Sequence, residues 1–187
     1  SRVTLIIQTI IESQKTPILI GGGHNNSFGL ISGASKALGK KIEVINIDPH
    51  LDCRPLEGRH SGNGFSYAYS ENFLDRYFVW GMHENYNSET MIMSCSSYTE
   101  WVSFEELKWR SPHLFDEFLK RMNSSIGIEL DLDSIKDMPS SAMTPCGFSE
   151  EEIRGYFHSI LRQKKPIYIH LAEGKIEEPK SYKVGKF

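Results

Sequence analysis

Six side chains of metal-binding type follow apolar segments of this sequence: His24, Asp48, His50, Asp52, Asp131 and Asp133. Five of them form two motifs with a spacing of two, Asp48-x-His50-x-Asp52 and Asp131-x-Asp133. In an extended segment, residues with this spacing point to the same side, so the side chains can converge. Two imidazoles and four carboxylates without a thiolate suit a hard or borderline divalent ion such as Mn²⁺ better than structural zinc.

The charge of this set favours two metal ions rather than one. Four carboxylates packed together repel one another and raise one another's pKa unless about four positive charges lie among them, as two divalent ions provide. Two neighbouring ions commonly activate a water molecule for attack on a polarised electrophile, so the expected reaction is hydrolysis. Each motif alone is common at a solvated strand end or a helix cap, and only their combination on separate strands predicts a metal centre.

The pattern of apolar residues predicts the elements that position these side chains. Strands are predicted over residues 18–20, 42–47, 77–80, 126–130 and 167–169. Helices are predicted over residues 3–11, 27–38 and 149–162, with a helix-rich region over 104–122 and a long ordered loop over 51–70. The last helix begins with a capping-box sequence at Ser149. Alternating strands and helices are typical of a parallel α/β sheet, in which ligands bind at the carboxyl ends of the strands.

Composition indicates one globular α/β domain over residues 1–187, with 39% hydrophobic and 24% charged residues and a mean hydropathy of −0.37. A net charge of −3 without a basic block argues against nucleic acid as a partner. The apolar run over residues 3–11 is too short and too polar to span a membrane. Three widely spaced cysteines form neither a disulfide framework nor a thiolate zinc site, so a cytoplasmic location is expected.

Three motifs in this order, Gly21-Gly22-Gly23-His24, Asp48-Pro49-His50-Leu51-Asp52 and Asp131-Leu132-Asp133, resemble the signature of the arginase/agmatinase/formimidoylglutamase family of binuclear manganese hydrolases. The resemblance implies an arginase-like, three-layer α/β/α fold with a mainly parallel sheet. It also implies two Mn²⁺ ions per chain, one held by His24, Asp48, Asp52 and Asp131 and the other by Asp48, His50, Asp131 and Asp133. The chain is shorter than whole members of the family, which leaves open that it is an incomplete version of the fold.

Within the family, the segment after Asp52 is most similar to the formimidoylglutamase branch, because Arg54 and Ser61 stand where arginases carry an asparagine and a histidine. The resemblance implies hydrolysis of N-formimidoyl-L-glutamate to L-glutamate and formamide, a step of histidine breakdown. Such a substrate requires guanidinium groups at one end of the site and a carboxylate at the other. The expected residues are Asp52 as general acid and base, Arg54 and Arg59 for the substrate carboxylates, Ser61 and Asn63 for its amino acid end, Glu173 for its cation and His60 as a proton shuttle.

Several alternatives stay open. An arginase- or agmatinase-type enzyme would release urea from a guanidine, and a catalytically silent subunit of the same fold would bind metal without turnover. A single-zinc deacetylase is disfavoured, because six ligands exceed the three that such a site uses. His83 and His170 are further candidates for the proton shuttle. The expected partners are a small amidine or guanidine substrate and further copies of the chain in a homo-oligomer.

Glu129 departs from the family pattern, which commonly has a small hydroxyl residue at this position. By strand alternation it shares a face with Asp131. It therefore either adds negative charge beside the metal ions or pairs with a base, and the sequence does not decide between the two.

Overall fold

The computed structural model describes residues 2–107, 109, 113–176 and 181–187. Its strands are β1 (Ile18–Ile20), β2 (Ile42–Ile47), β3 (Leu74–Met82), β4 (Thr99–Ser103), β5 (Ser125–Asp131) and β6 (Lys165–Ala172). Its helices are α1 (Arg2–Glu12), α2 (Asn26–Leu38), α3 (Gly64–Ser70), α4 (Glu89–Cys95), α5 (Phe104–Leu107), α6 (Leu114–Lys120), α7 (Glu150–Gln163) and α8 (Ser181–Lys186). The strands form one parallel sheet in the order β1-β6-β5-β2-β3-β4.

Helices cover both faces of this sheet, and its central strands β2 and β5 are buried along almost their whole length. Val44 of β2 packs on one face, together with Ile31 of α2. Ile45, the next residue of β2, packs on the opposite face together with Phe118 of α6 and Ile153 of α7. A parallel sheet buried on both sides in this way is a three-layer α/β/α arrangement, as predicted.

Local sequence features explain how the helices pack and begin. Gly33 allows α1 to approach α2 closely, since a Cβ at this position would lie 2.6 Å from the main-chain oxygen of Thr4. Helix α7 begins with a capping box, in which the Ser149 hydroxyl accepts the N–H of Glu152 and the Glu152 carboxylate accepts the N–H of Ser149. The capping box predicted from the sequence is therefore confirmed.

The structure contains elements that were not predicted, among them strand β4 and helices α3 and α4. Strand β4 was not predicted, because its sequence mixes polar Thr99 and Glu100 with apolar residues, as suits a strand paired on one side with β3. The predicted loop over residues 51–70 ends in helix α3, whose Phe65 and Ala68 are buried in the core. Residues 108 and 110–112 of the predicted helix-rich region lie outside the described residues.

Strand β1 lies at one end of the sheet and pairs with β6. Its Ile18 and Ile20 are 62% and 76% exposed. Unpaired strand edges with apolar side chains are surfaces on which further chain or another subunit can pack. Among the described helices, none has the length and apolar character needed to cross a bilayer.

Candidate metal centre

The site lies where the carboxyl ends of four neighbouring strands meet. The residues at these ends are His24 after β1, Asp48 after β2, Asp131 at the end of β5 and Glu173 after β6. His24 follows a turn in which Gly21 and Gly22 have φ angles of 88° and 77°, a conformation that glycine adopts readily. The position at this edge agrees with the prediction from strand order.

Three carboxylates surround one nitrogen of His24. The Nδ1 atom lies 3.2 Å from Oδ2 of Asp48, 3.0 Å from Oδ2 of Asp52 and 3.1 Å from Oδ2 of Asp131. One ligand atom from each of these four residues lies within 4.8 Å of the others. This is the set of residues that the family resemblance implies for the first manganese ion.

The orientation of the aspartates is fixed by hydrogen bonds from their surroundings. Asn46 donates from Nδ2 to Oδ2 of Asp48 at 2.8 Å, and the main-chain N–H of His50 donates to the other oxygen at 2.7 Å. The main-chain N–H of Asp133 donates to Oδ1 of Asp131 at 2.7 Å. One oxygen of Asp131 is thereby held by the turn after β5, and the other is directed at the imidazole of His24.

The two further residues implied for the second ion, His50 and Asp133, are not part of the group of four whose ligand atoms lie within 4.8 Å of one another. His50 lies with its Nδ1 atom 3.4 Å from Asp48 and stacks on Tyr86 with ring centroids 5.6 Å apart. Asp133 accepts hydrogen bonds from the Ser141 hydroxyl at 3.0 Å and the Ala142 N–H at 2.9 Å. Both side chains line the same cleft as Asp52 and Asp131.

The cluster carries more negative charge than its histidines balance. Burial opposes a charge on His24, but hydrogen bonds with Asp131 and the other aspartates outweigh it and raise the imidazole pKa well above 6.5. Burial and the charge of Asp48 raise the pKa of Asp52 above 3.8 and that of Asp131 well above it. Burial also disfavours a charge on Asp48, but the hydrogen bonds and positive charges of His24 and His50 outweigh this effect and lower the pKa of Asp48 to about 2.

A divalent cation fits this donor set. Carboxylates that resist ionisation when crowded together are neutralised by a cation placed among them. Oxygen and imidazole donors in this combination are ligands that Mn²⁺ accepts. The residues present are therefore chemically suited to hold a divalent metal ion such as Mn²⁺.

A cleft with a volume of about 230 Å³ opens above the cluster. Of the residues predicted to act on a substrate, Asp52, Arg54, His60, Ser61 and Glu173 line it. The Oε1 atom of Glu173 accepts the main-chain N–H of His24 at 2.6 Å, which ties the carboxylate to the edge of the metal cluster. The cleft thus has a carboxylate beside the cluster and a guanidinium in its wall.

Two residues predicted to bind substrate lie elsewhere. Arg59 stacks over the ring of Phe28 at 4.2 Å and lines a separate surface groove. Asn63 is fully buried and donates hydrogen bonds to the main-chain oxygens of Pro55 and Gly58, so it holds the loop in shape. The loop that carries Arg59 and Asn63 therefore directs both side chains away from the cleft.

The three candidate shuttle histidines differ in their surroundings. His60 lines the cleft, but its Nδ1 accepts the Gly62 N–H and its Nε2 lies 3.3 Å from Glu57, so its own loop engages both nitrogens. His83 is stacked between two aromatic rings. His170 is fully buried and hydrogen-bonded to Glu129. The second sequence alternative for Glu129, pairing with a base, is the one that the structure shows.

Other residues of the site were not identified from the sequence. Tyr86, Asn87 and Ser141 line the cleft. Asn87 accepts the N–H of Leu51 and donates to the main-chain oxygen of Pro49, and so fixes the loop that carries His50. Only the hydrogen-bonding pattern around this loop reveals that role, since an asparagine 36 residues further along the chain gives no local signal.

The sequence matches a family model and several curated proteins. A profile of the Arginase family matches residues 1–174. The formimidoylglutamase of Geobacillus sp. is 28% identical over 177 residues, which cover 89% of this chain and 54% of that protein. The formimidoylglutamase of Corynebacterium efficiens is 31% identical over 144 residues, which cover 74% of this chain and 45% of that protein. The chain spans about half the length of the curated relatives it matches.

Solved structures share the fold. The formiminoglutamase of Trypanosoma cruzi with Mn²⁺ aligns with a TM-score of 0.88 at 21% identity, over 98% of this chain and 66% of that one. The formimidoylglutamase of Bacillus subtilis aligns with a TM-score of 0.85 at 16% identity, over 98% of this chain and 62% of that one. At these identities the likeness establishes the fold, and the chemistry rests on the residues of the site.

Proposed function

Since the chain belongs to the arginase family, we propose that it is a binuclear manganese hydrolase that cleaves N-formimidoyl-L-glutamate to L-glutamate and formamide. The observation that carries the proposal is the convergence of Asp48, Asp52 and Asp131 on Nδ1 of His24 at the base of a cleft that contains Arg54. The names of the curated relatives support the same branch of the family.

The proposed metal ions would be held by His24, Asp48, His50, Asp52, Asp131 and Asp133. When bound, two divalent ions neutralise the carboxylates and supply a water molecule activated for attack at neutral pH. Hydrogen bonds from Asn46 and from the turn after β5 orient the carboxylates of Asp48 and Asp131.

Asp52 is proposed as the general acid and base. Its side chain is 13% exposed, whereas those of Asp131 and Asp48 are 3% and 0% exposed, so Asp52 is the most accessible of the three carboxylates beside His24. From the cleft wall it can accept a proton from the attacking water and pass it to the departing nitrogen. That transfer allows the nitrogen to leave as a neutral amine.

Substrate orientation is proposed to follow from charge. Glu173, fixed through its Oε1 atom, faces the cleft beside the cluster and would hold the cationic formimidoyl group there. Arg54 would bind a substrate carboxylate, with Ser61 as a hydrogen-bonding neighbour. The amidine carbon would then lie between these groups, over the metal centre. A guanidine such as arginine presents a different pattern of charges at the Arg54 end.

The test combines metal analysis with product identification. The chain is purified with Mn²⁺, its metal content is measured, and it is assayed with formimidoylglutamate, arginine and agmatine for formamide and urea. We expect two equivalents of manganese and formamide release. Urea release would show that the chain catalyses the arginase or agmatinase reaction instead. Bound metal without any product would identify a silent metal-binding subunit.

A matched pair of arginine variants tests the substrate assignment. Arg54→Ala removes a guanidinium from the cleft, and Arg59→Ala removes one that stacks on Phe28 outside it. Because a hydrogen bond to a charged group contributes about 1.5–3 kcal/mol, Arg54→Ala should raise KM about 10- to 100-fold. Arg59→Ala should leave KM unchanged. Equal effects of the two variants on KM would contradict the proposed binding mode.

A further inference from the structure

Glu129 is a fully buried carboxylate next to the proposed metal centre, but it is not one of the proposed ligands. It lies on β5 two residues before Asp131 and accepts two hydrogen bonds. The Tyr168 hydroxyl donates to Oε1 at 2.8 Å, and Nδ1 of His170 lies 2.5 Å from Oε2. Both partners are on the neighbouring strand β6 and are themselves fully buried.

The same carboxylate faces the rear of the metal-centre histidine. Nε2 of His24 lies 3.4 Å from Oε2 of Glu129, while Nδ1 faces the three aspartates. Among the described residues, Nε2 is buried and makes no hydrogen bond of normal geometry. The rings of His24 and His170 meet edge to face, with centroids 5.8 Å apart, so Glu129 lies between two histidines.

The sheet is shaped to hold Glu129 in this place. Gly127 precedes it by two residues on the same face of β5, and a Cβ there would lie 2.6 Å from the Tyr168 ring and 2.8 Å from its hydroxyl. Only a glycine leaves room for Tyr168 to reach the Glu129 carboxylate. Burying a carboxylate is costly unless hydrogen bonds compensate, and here the neighbouring strand supplies them.

We propose that Glu129 is a positioning residue for His24. Its carboxylate favours the tautomer of His24 with the proton on Nε2, which leaves the lone pair of Nδ1 available to the metal ion. Tyr168 and His170 hold the carboxylate in the orientation that this requires. The proposal rests on the proposed function, because it assumes that Nδ1 of His24 is a metal ligand.

The experiment measures Mn²⁺ affinity rather than activity. Equilibrium dialysis with elemental analysis gives the dissociation constant of Mn²⁺ for the unmodified chain, Glu129→Leu and Glu129→Gln. Loss of the outer-shell partner of a metal-binding histidine typically lowers metal affinity about 10- to 100-fold. We expect a loss of this size for Glu129→Leu and a smaller one for Glu129→Gln, whose amide oxygen can still face the Nε2–H group of His24.

Glu43 provides the matched control. It is also a buried carboxylate, on the adjacent strand β2, but it pairs with Arg76 and with the N–H of Asn123 near the start of the strand, away from the site. Glu43→Leu and Glu43→Gln should lower the Tm in EDTA and leave the Mn²⁺ affinity unchanged. The Tm in EDTA thus reports the structural effect of each change separately from metal binding.

The outcomes separate the two proposals. Unchanged Mn²⁺ affinity in both Glu129 variants, or an equal loss in the Glu43 variants, would overturn the positioning role while leaving the metal centre intact. If Glu129→Leu does not fold, Glu129→Gln alone decides by the same comparison with Glu43→Gln. If the unmodified chain takes up no Mn²⁺, the metal centre itself is refuted, and the role of Glu129 with it.

Discussion

Replacement of Asp131 by asparagine measures how strongly the carboxylates of the metal centre repel one another. The ligand atoms of the cluster lie within 4.8 Å of one another, so at an effective dielectric constant of about 20 two ionised carboxylates repel by roughly 3.5 kcal/mol. The same arithmetic gives an attraction of about 5 kcal/mol between Asp131 and a protonated His24 at 3.1 Å. Asp131 lies near the carboxylates of Asp48 and Asp52 and the imidazole of His24, so the two repulsions exceed the one attraction by about 2 kcal/mol. Neutralisation of Asp131 should therefore stabilise the metal-free protein by about 2 kcal/mol.

The asparagine side chain preserves the local structure. Its amide oxygen can accept the Asp133 N–H, as Oδ1 of Asp131 does at 2.7 Å. For a chain of this length, about 2 kcal/mol corresponds to a rise in Tm of roughly 4–8 °C in EDTA. With Mn²⁺ the sign reverses. At a concentration 100 times its dissociation constant, the ion should stabilise the unmodified chain by about 2.7 kcal/mol, and the variant should lose most of this gain.

Thermal unfolding at pH 8 gives the Tm of the unmodified chain and of Asp131→Asn, each in EDTA and in excess Mn²⁺. Asp75→Asn is the control, because it removes a carboxylate from an exposed position of β3 and should change neither Tm nor the effect of Mn²⁺. The reasoning is refuted if Asp131→Asn lowers the Tm in EDTA, since the cluster would then be stabilised by its charges. It is also refuted if the variant keeps the full response to Mn²⁺.

Two further predictions concern the scaffold. Gly81 has a φ of 85° and a Cβ there would overlap the ring of Phe148, so Gly81→Ala should destabilise the chain by about 3 kcal/mol, measured by urea unfolding. Gly155→Ala in α7 meets no atom within 4 Å and should instead raise stability by roughly 0.5–1 kcal/mol; equal effects would contradict the steric reason. Ser149→Ala removes the hydroxyl that caps α7 and should cost about 1 kcal/mol, whereas an unchanged Tm would show that Glu152 alone caps the helix.

The convergence of His24, Asp48, Asp52 and Asp131 could be predicted because each of them lies at a strand end that the sequence marks. A spacing of two within a strand end places Asp48 and Asp52, and the parallel order of the strands brings His24 and Asp131 to the same edge. Apolar runs likewise predicted five of the six strands in the described part of the chain. The missed strand, β4, lies at the edge of the sheet, where half-exposed polar residues remove the apolar signal.

The rest of the site depends on contacts between distant segments. Arg59 was assigned to the substrate by its charge, but the aromatic ring that binds it, Phe28, lies 31 positions earlier on α2. The partner of Glu129 lies 41 residues later on β6 and becomes identifiable only when the register of β5 and β6 is known. Side-chain direction in an irregular loop follows from packing and not from periodicity, so residue type alone does not predict it.

Two carboxylate residues of the site have strained backbone conformations. Asp52 and Glu173 have φ angles of 50° and 66°, in the left-handed region that residues with a side chain rarely adopt. Each such residue costs of order 1 kcal/mol or more and persists only where its surroundings impose it. At Asp52 the imposed turn brings Oδ2 to 3.0 Å from His24, and at Glu173 it brings Oε1 to the His24 N–H. A glycine would relieve both turns and remove both carboxylates, so the strain is inseparable from the chemistry proposed for the site.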